Sequence, residues 1–326
     1  MLFTNENNID LSVAVWLASN EYDTYTGDGK YLSVTELLKP TKQLVLGKRA
    51  DTVREKIDIN SFIHSKLGTA IHNSIEYVWS SPNLYKPALR KLGYPKNIID
   101  RIKVNPVELK KNDIPIYMEK RSYKKIGGYT IGGKFDFIGN GFPEDFKSMK
   151  VYGYQKGDKI EEFRHQLSIY RWLNPEIITQ DIGKIQYILT DWSKGKSKAK
   201  NFPSSAITKE NLQLLTIEET EKFIIEKLAE IDKFKTMHQD EMPACTKEEL
   251  WQQDTVYKYF TKPENIRASK STKDYFEMTE YINAKGKPNG IMKTFPGEVK
   301  KCGYCNGKTI CNQKITLEEL GLYKPE

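Results

Sequence analysis

YTIGGKFDFIGNGFPEDFKSMK, residues 129–150, decides how the chain is read. Two β-favouring runs flank Asn140-Gly141, the dipeptide best suited to the positive φ angles of a two-residue hairpin turn. With that turn, Asp136 stands opposite Asp145 and Lys134 opposite Lys147. Opposed residues share a face, so two carboxylates at roughly 5 Å repel each other unless a counter-charge compensates. A hard divalent cation such as magnesium or manganese would do so, and Lys147, two residues beyond Asp145, returns to the same face. A solvated polar face on an edge hairpin would show the same isolated D-x-K, so the surrounding chain has to decide.

Upstream, residues 61–80 (SFIHSKLGTAIHNSIEYVWS) repeat apolar side chains at helical spacing. Gly68 costs helix propensity, which implies close packing or approach of a ligand. His72 and Glu76 share one face of this helix. A lone histidine on an apolar helix is ordinarily a core residue, and His72 gains weight only if it faces the hairpin carboxylates. Residues 81–115 read as a helical insertion on the solvated surface. From Ile116 alternation indicates a strand that carries Glu119 and turns at Gly127-Gly128 into the hairpin. Glu119 either adds a third acid to the site or pairs with a basic neighbour.

Downstream, a helix is expected from about Lys159 to Leu173, with Gln166 and Tyr170 four residues apart on one face. Those two side chains can satisfy buried hydrogen bonds or position a nucleophile or phosphate. Residues 183–191 read as a buried strand. The alternating lysines 194, 196, 198 and 200 mark a solvated loop that could also meet phosphates. Asn211 to Lys235 reads as one charged amphipathic helix. At the N-terminus, an apolar run at Leu11–Leu17 and a Tyr/Gly/Asp-rich turn (EYDTYTGDGKY) precede Ser33-Val-Thr-Glu36, a capping-box helix start that Pro40 soon ends.

The 326 residues suffice for a substantial core. A formal charge of +8 (51 Lys plus Arg against 43 Asp plus Glu) suits a polyanionic partner. No membrane-spanning apolar run or signal peptide is evident, and four cysteines do not make a disulfide scaffold, so a soluble protein of a reducing compartment is expected. The chain lacks GxGxxG, GxxxxGK[ST] and GxSxG, which excludes Rossmann, P-loop and serine-hydrolase readings. The element order predicts an α/β fold with a central mixed β-sheet flanked by helices. Three regions are expected: an N-terminal arm and short helix (1–60), the α/β core (61–235) and a four-cysteine subdomain (236–326).

In this order, GTAIHNSIE (His72), Glu119, GGKFDFI (Asp136), EDFK (Asp145, Lys147) and HQLSIY (Gln166, Tyr170) resemble the RecB-type branch of the PD-(D/E)XK nucleases. The resemblance spans roughly residues 61–192. Asp191-Trp192-Ser193 and the late cysteines are further similar to phage-encoded exonucleases of this branch. It implies a restriction-endonuclease-like core and a Mg²⁺- or Mn²⁺-dependent deoxyribonuclease. His72, Asp136, Asp145 and the carbonyl of Phe146 would bind the catalytic cation, as one ion or two. Lys147 would orient or activate water, and Gln166 and Tyr170 would position the nucleophile or strand. Glu119 is a looser match to an acidic strand position. A Phe replaces the motif's Pro before Asp136, as is common in this branch.

Cys302-x2-Cys305-x5-Cys311, with Cys245 as a fourth ligand, suits tetrahedral zinc or a 4Fe-4S cluster. The spacing is similar to that of AddB-like and CRISPR-associated nucleases, where an iron–sulfur cluster staples the nuclease domain. In those relatives the first cysteine precedes the core, whereas Cys245 follows it, which leaves zinc open beside the favoured 4Fe-4S. Such a metal would tie PACTKEELW to the C-terminus and enclose a Tyr/Lys-rich insertion with the composition of a DNA-contacting surface. The expected partner is DNA, single- or double-stranded, with phage or host recombination proteins as further candidates and the cytoplasm, a host's if phage-encoded, as location. The rivals to an exonuclease are an endonuclease or end-processing enzyme with the same site, and a DNA-binding nuclease fold that has lost turnover.

Overall fold

A computed structural model of the chain describes residues 2–19, 30–50 and 56–324. In chain order the first elements are β1 (Leu2–Thr4), α1 (Leu11–Ala18), β2 (Tyr31–Ser33), α2 (Val34–Leu37), α3 (Thr41–Arg49), β3 (Lys56–Asp58) and α4 (Ile63–Ser80). Then come α5 (Pro82–Lys91), α6 (Lys96–Ile99), β4 (Ile102–Val104), β5 (Ile114–Met118), β6 (Arg121–Ile126), β7 (Tyr129–Lys134), β8 (Phe137–Gly139) and β9 (Phe142–Met149). The rest are α7 (Val151–Lys156), α8 (Ile160–Leu173), β10 (Ile182–Leu189), β11 (Ile207–Gln213), α9 (Ile217–Thr236), β12 (Val256–Phe260), β13 (Lys270–Thr272), α10 (Tyr275–Lys285), β14 (Ile291–Phe295) and α11 (Asn312–Glu319). Two compact units result, one of residues 1–38 with 54–229, the other of residues 39–53 with 230–326. The fold is mixed α/β, and no helix of the described residues is long and apolar enough to cross a membrane.

The first unit is built on a six-stranded mixed sheet in the order β11-β10-β9-β8-β5-β4. β9 and β10 run parallel, whereas β8–β9, β5–β8 and β10–β11 are antiparallel. The hairpin turn forms at Asn140 (φ 51°) and Gly141 (φ 82°), with Phe137 opposite Glu144 and Gly139 opposite Phe142. That register is the one the Asn-Gly turn predicts. Strand alternation then sends Ser148 toward α4, where a Cβ on Gly68 would lie 3.2 Å from its Oγ, and Lys147 toward α8, where it meets Gln166. The bare Gly68 thus serves close packing between α4 and β9.

The expected single strand from Ile116 is broken. β5 pairs with β8 in the central sheet, and after a break at Glu119 the chain continues as β6, which pairs with β7 in a separate three-stranded sheet, β2-β7-β6. The opposite strand breaks between β7 and β8, at Phe135-Asp136. Register is the same on both sides of the break, so Glu119 lies opposite Asp136, and the Glu119 N–H donates to the Asp136 carbonyl at 3.2 Å. One bent ribbon therefore feeds two sheets. Lys134 is consequently opposite Arg121 and not Lys147, because the ladder with β9 ends at Phe137.

Other expectations change as well. Ile102–Val104 of the supposed surface insertion forms β4, an edge strand parallel to β5, and Ile102 and Ile99 bury with Tyr85, Ile116 and Phe137. The predicted helix from Asn211 is instead β11 followed by α9, since residues 207–213 alternate in burial and pair along β10. The capping box at Ser33 and Glu36 forms, but Pro40 starts α3 as well as ending α2. Most of the EYDTYTGDGKY turn, residues 21–29, lies outside the described residues. Helix α8 is buried along its second half, from Gln166 to Leu173, and its Arg171 pairs with Asp181 at 2.7 Å while donating to the Leu215 carbonyl.

In the second unit, α3 packs through Val45 and Leu46 on Phe234 and Met242, and Leu250, Val299, Cys302, Leu317 and Tyr323 form another apolar cluster. β12, β13 and β14 make an antiparallel sheet with β12 at its centre.

Candidate active site

The break in the ribbon gathers the acidic side chains. Glu119 has φ +50°, a left-handed conformation uncommon for a non-glycine residue. Asp136 sits in the matching break, where its carboxylate accepts from the Phe146 N–H of β9 and lies near enough to Asp145 to act on its charge, so three carboxylates from neighbouring strands come together. Asp136 Oδ2 accepts the Phe146 N–H at 2.8 Å, while Oδ1 lies 3.5 Å from His72 Nδ1. The other ring nitrogen, His72 Nε2, is 3.0 Å from the Phe146 carbonyl. His72 thus does face the hairpin carboxylates, from α4.

Ligand atoms of His72, Glu119 and Asp136 all lie within 4.8 Å of one another, a grouping fit for a metal ion. Asp145 stands beside that triplet. It is 2% exposed, and its Oδ2 is 2.7 Å from Lys147 Nζ as an ion pair, yet this buried oxygen accepts no hydrogen bond of proper direction. A buried carboxylate held by one lysine, with the Asp136 carboxylate also near it, keeps lone pairs that a hard cation can take. The donor set of carboxylates, imidazole and backbone carbonyl therefore fits Mg²⁺ or Mn²⁺. Glu119 also pairs with Lys134, at 2.5 Å, so it is both a member of the acidic row and the partner of a basic neighbour.

Charge states follow from burial and pairing. Burial pushes the Asp145 carboxyl up to about 6, against the pull of the Lys147 ammonium. Burial works to discharge Lys147, but the adjacent Asp145 outweighs it and holds the ammonium above its ordinary value. For His72, burial opposes the charged ring and the Asp136 contact outweighs it, so the net shift is upward. Glu119 is raised by burial, which Lys134 opposes. The floor under Asp145 and Lys147 is apolar: Ile185 and Tyr187 occupy the paired positions on β10, and the Phe163 ring lies 5.1 Å below Lys147 Nζ. Low polarity there strengthens each charge interaction.

From Lys147 a chain of hydrogen bonds runs into α8. Lys147 Nζ donates to Gln166 Oε1 at 3.1 Å, and Gln166 Nε2 donates to Tyr170 Oη at 3.1 Å. Tyr170 can lie there because Gly133 of β7 has no side chain; a Cβ would stand 2.8 Å from the Tyr170 ring and 2.5 Å from Val34. Sequence reasoning did not single out Gly133 or the Lys134–Glu119 pair. A glycine inside a strand is the available signal of close approach. The lysines at 194 and 196 lie on an exposed turn.

The four cysteines are free thiols that line one pocket in the second unit, together with Lys42, Gln43 and Lys314 among others. Gln313 brackets Cys245, accepting its N–H at 2.9 Å and donating to its carbonyl at 3.0 Å. The 245 segment is thereby tied to α11 by side chain and backbone alone. Burial raises the Cys245 thiol to about 12 and Cys302 to about 11.

No family model matches the chain, and no curated protein does. Among solved structures it is distantly similar to a protein named SSO0001, at 16% identity and a TM-score of 0.37, covering 63% of this chain and 78% of that one. It is also similar to a phage-related exonuclease from Haemophilus somnus 129PT, at 17% identity and a TM-score of 0.26, covering 37% and 60%. Likenesses this distant do not bear on function, which has to be read from the site.

Proposed function

We propose that the protein is a metal-dependent deoxyribonuclease with a restriction-endonuclease-like core of the PD-(D/E)XK, RecB-like type, acting as an exonuclease. The observation that carries this reading is the gathering of His72, Glu119 and Asp136 ligand atoms within 4.8 Å of one another, with the buried Asp145–Lys147 ion pair beside them. Asp136, Asp145, His72 and the Phe146 carbonyl would hold Mg²⁺ or Mn²⁺, with Glu119 close enough to join them. When bound there, such an ion acidifies water and neutralises phosphate charge.

The chain's own groups supply the rest. Lys147 stays protonated beside Asp145 and presents its ammonium to the charge that grows on the phosphate oxygens. Gln166 fixes the direction of that ammonium, and Tyr170 fixes Gln166. The apolar floor of Phe163, Ile185 and Tyr187 keeps water from screening these charges. DNA is the fitting substrate because phosphodiester cleavage uses this residue set and the chain carries a net charge of +8.

The four thiols are read as ligands of a structural 4Fe-4S cluster. Their convergence on one pocket and the C-x2-C-x5-C spacing support this reading. Brown colour and iron in anaerobic protein are expected, and colourless protein containing zinc would reverse that choice.

The test of the activity compares 5′- and 3′-labelled linear DNA with closed circles, in Mg²⁺ or Mn²⁺. Degradation of linear DNA from an end, with circles spared, is expected. Cleaved circles would make the protein an endonuclease, and intact linear DNA under all conditions would end the nuclease reading.

A further inference from the structure

The sheet of β12, β13 and β14 is packed by a helix on one face, and on the other Phe260 is buried while Lys293, Phe295 and Ser271 are exposed. Helix α10 lies over the face bearing Tyr257 and Tyr259, which meet Tyr275 and Tyr281 at ring centroid distances of 5.4 and 5.9 Å, with Met278 fully buried between the layers. The opposite face carries Lys258 on the central strand, with Lys293 of β14 directly opposite it and Ser271 of β13 on its other side. Lysines directly opposed on antiparallel neighbours repel each other, as opposed carboxylates do.

Nothing anionic answers them. The ion pairs of this module join Lys270 to Glu277 and Lys273 to Asp254, and among the described residues no carboxylate pairs with Lys258 or Lys293. Each lysine is instead held over a ring on the same face: Lys258 Nζ is 4.6 Å from the centre of Phe295, and Lys293 Nζ is 5.1 Å from that of Phe260. Lys293 also donates to the Pro263 carbonyl at 3.3 Å. Rings under the aliphatic stems keep the two ammonium groups on the sheet face. Phe295 is itself 41% exposed.

We infer that this open face is a docking surface for single-stranded DNA, with Lys258 and Lys293 meeting backbone phosphates and Phe295 stacking on a base. The opposed, uncompensated lysines ask for a polyanion, and an exposed ring beside cations is an arrangement by which proteins hold unpaired strands without regard to sequence. Ser271, exposed beside Lys258, adds a hydroxyl donor to the same face. The inference rests on the reading of the protein as a DNA enzyme and adds which form of DNA the second unit grips.

The test uses the full-length protein, prepared anaerobically, with a fluorescent oligothymidylate and its duplex counterpart, in EDTA so that no strand is cut. Lys258→Gln with Lys293→Gln should weaken binding of the single strand by about tenfold and lower the slope of log affinity against log salt by roughly 1.4, two phosphate contacts at about 0.7 each. Phe295→Ala should weaken it by a further tenfold or so, with little change in slope. Lys285→Ala, on α10, is the control and should change neither.

The melting temperature of the Gln variant should equal or exceed that of the wild type, because repulsion has been removed. Wild-type affinity and slope in a folded Gln variant would overturn the inference, and so would duplex binding that is tighter than single-strand binding and equally sensitive to the substitutions. Should the variants not fold, ultraviolet crosslinking of a thiothymidine oligonucleotide to the wild type decides: crosslinks in residues 256–260 or 291–295 support the surface, and crosslinks confined elsewhere overturn it. Cleavage of linear DNA in Mg²⁺ is measured in parallel. Lysine-dependent binding without any cleavage would sink the nuclease reading alone, whereas cleavage with lysine-independent binding would sink this inference alone.

Discussion

The acidic row at the ribbon break and the four thiols of the second unit are both crowded sets of prospective anions, and the fold holds them in opposite ways. The carboxylates come with internal basic partners: the ammonium groups of Lys134 on Glu119 and Lys147 on Asp145, and the His72 ring beside Asp136. The thiols are kept neutral by burial, which raises Cys245 and Cys302 far above an ordinary thiol. A site whose charges are already compensated can take up and release a cation without unfolding. A buried thiol set has to lose protons to bind, so its cofactor becomes part of the fold.

The largest effect should come from the lysine that compensates Asp145. Lys147→Ala is expected to lower DNA cleavage by about 10²–10³-fold, while Mg²⁺ or Mn²⁺ still raises the melting temperature. Unchanged cleavage would remove Lys147 from the site. Next, Cys302→Ser should lower the melting temperature on the order of 10 °C through loss of the bound cofactor, whereas EDTA treatment of the wild type should not. Equal effects from both treatments would break the comparison between the two sets.

Proton competition sharpens it further. Asp145 holds a proton up to about 6, and His72 is also shifted upward, so a cation binding at these groups has to displace protons at low pH. The stabilisation that Mn²⁺ confers should therefore be present at pH 7 and fade as pH falls through about 6, as thermal melts with and without the ion would report. A stabilisation that is constant from pH 7 to 5 would contradict the assignment of these ligands.

Smaller effects are expected from the supports. Gly133→Ala pushes a Cβ into Tyr170 and Val34 and should destabilise by about 1–3 kcal/mol in denaturant titrations, with cleavage falling through the Tyr170–Gln166–Lys147 chain. Lys134→Ala frees Glu119 and should tighten Mn²⁺ binding severalfold in calorimetry. Weaker binding in that variant would show that Lys134 organises the site and does not compete with the ion.

The parts of the site that were legible in sequence are those fixed by local chemistry. Asn140-Gly141 set the hairpin register, strand alternation put Asp145 and Lys147 on one face, and helical spacing aligned Gln166 with Tyr170. What could not be read depends on partners far along the chain. Residues 207–213 are as charged as a surface helix, and only the free edge of β10 makes them a strand. Ile102–Val104 is a strand because β5 offers it an edge.

The hairpin of residues 129–150 shows the same division. Its sequence alone determined the turn and the register of β8 against β9, because a two-residue turn and a period of two leave no freedom in those quantities. Tertiary structure alone decided that the strand breaks at Asp136, that Glu119 breaks opposite it, and that Lys134 serves Glu119 and not the face of Lys147. The physical reason is that one ribbon cannot pair in two separate sheets without a bend, and where that bend falls is set by β2, β9 and the helices packed on them.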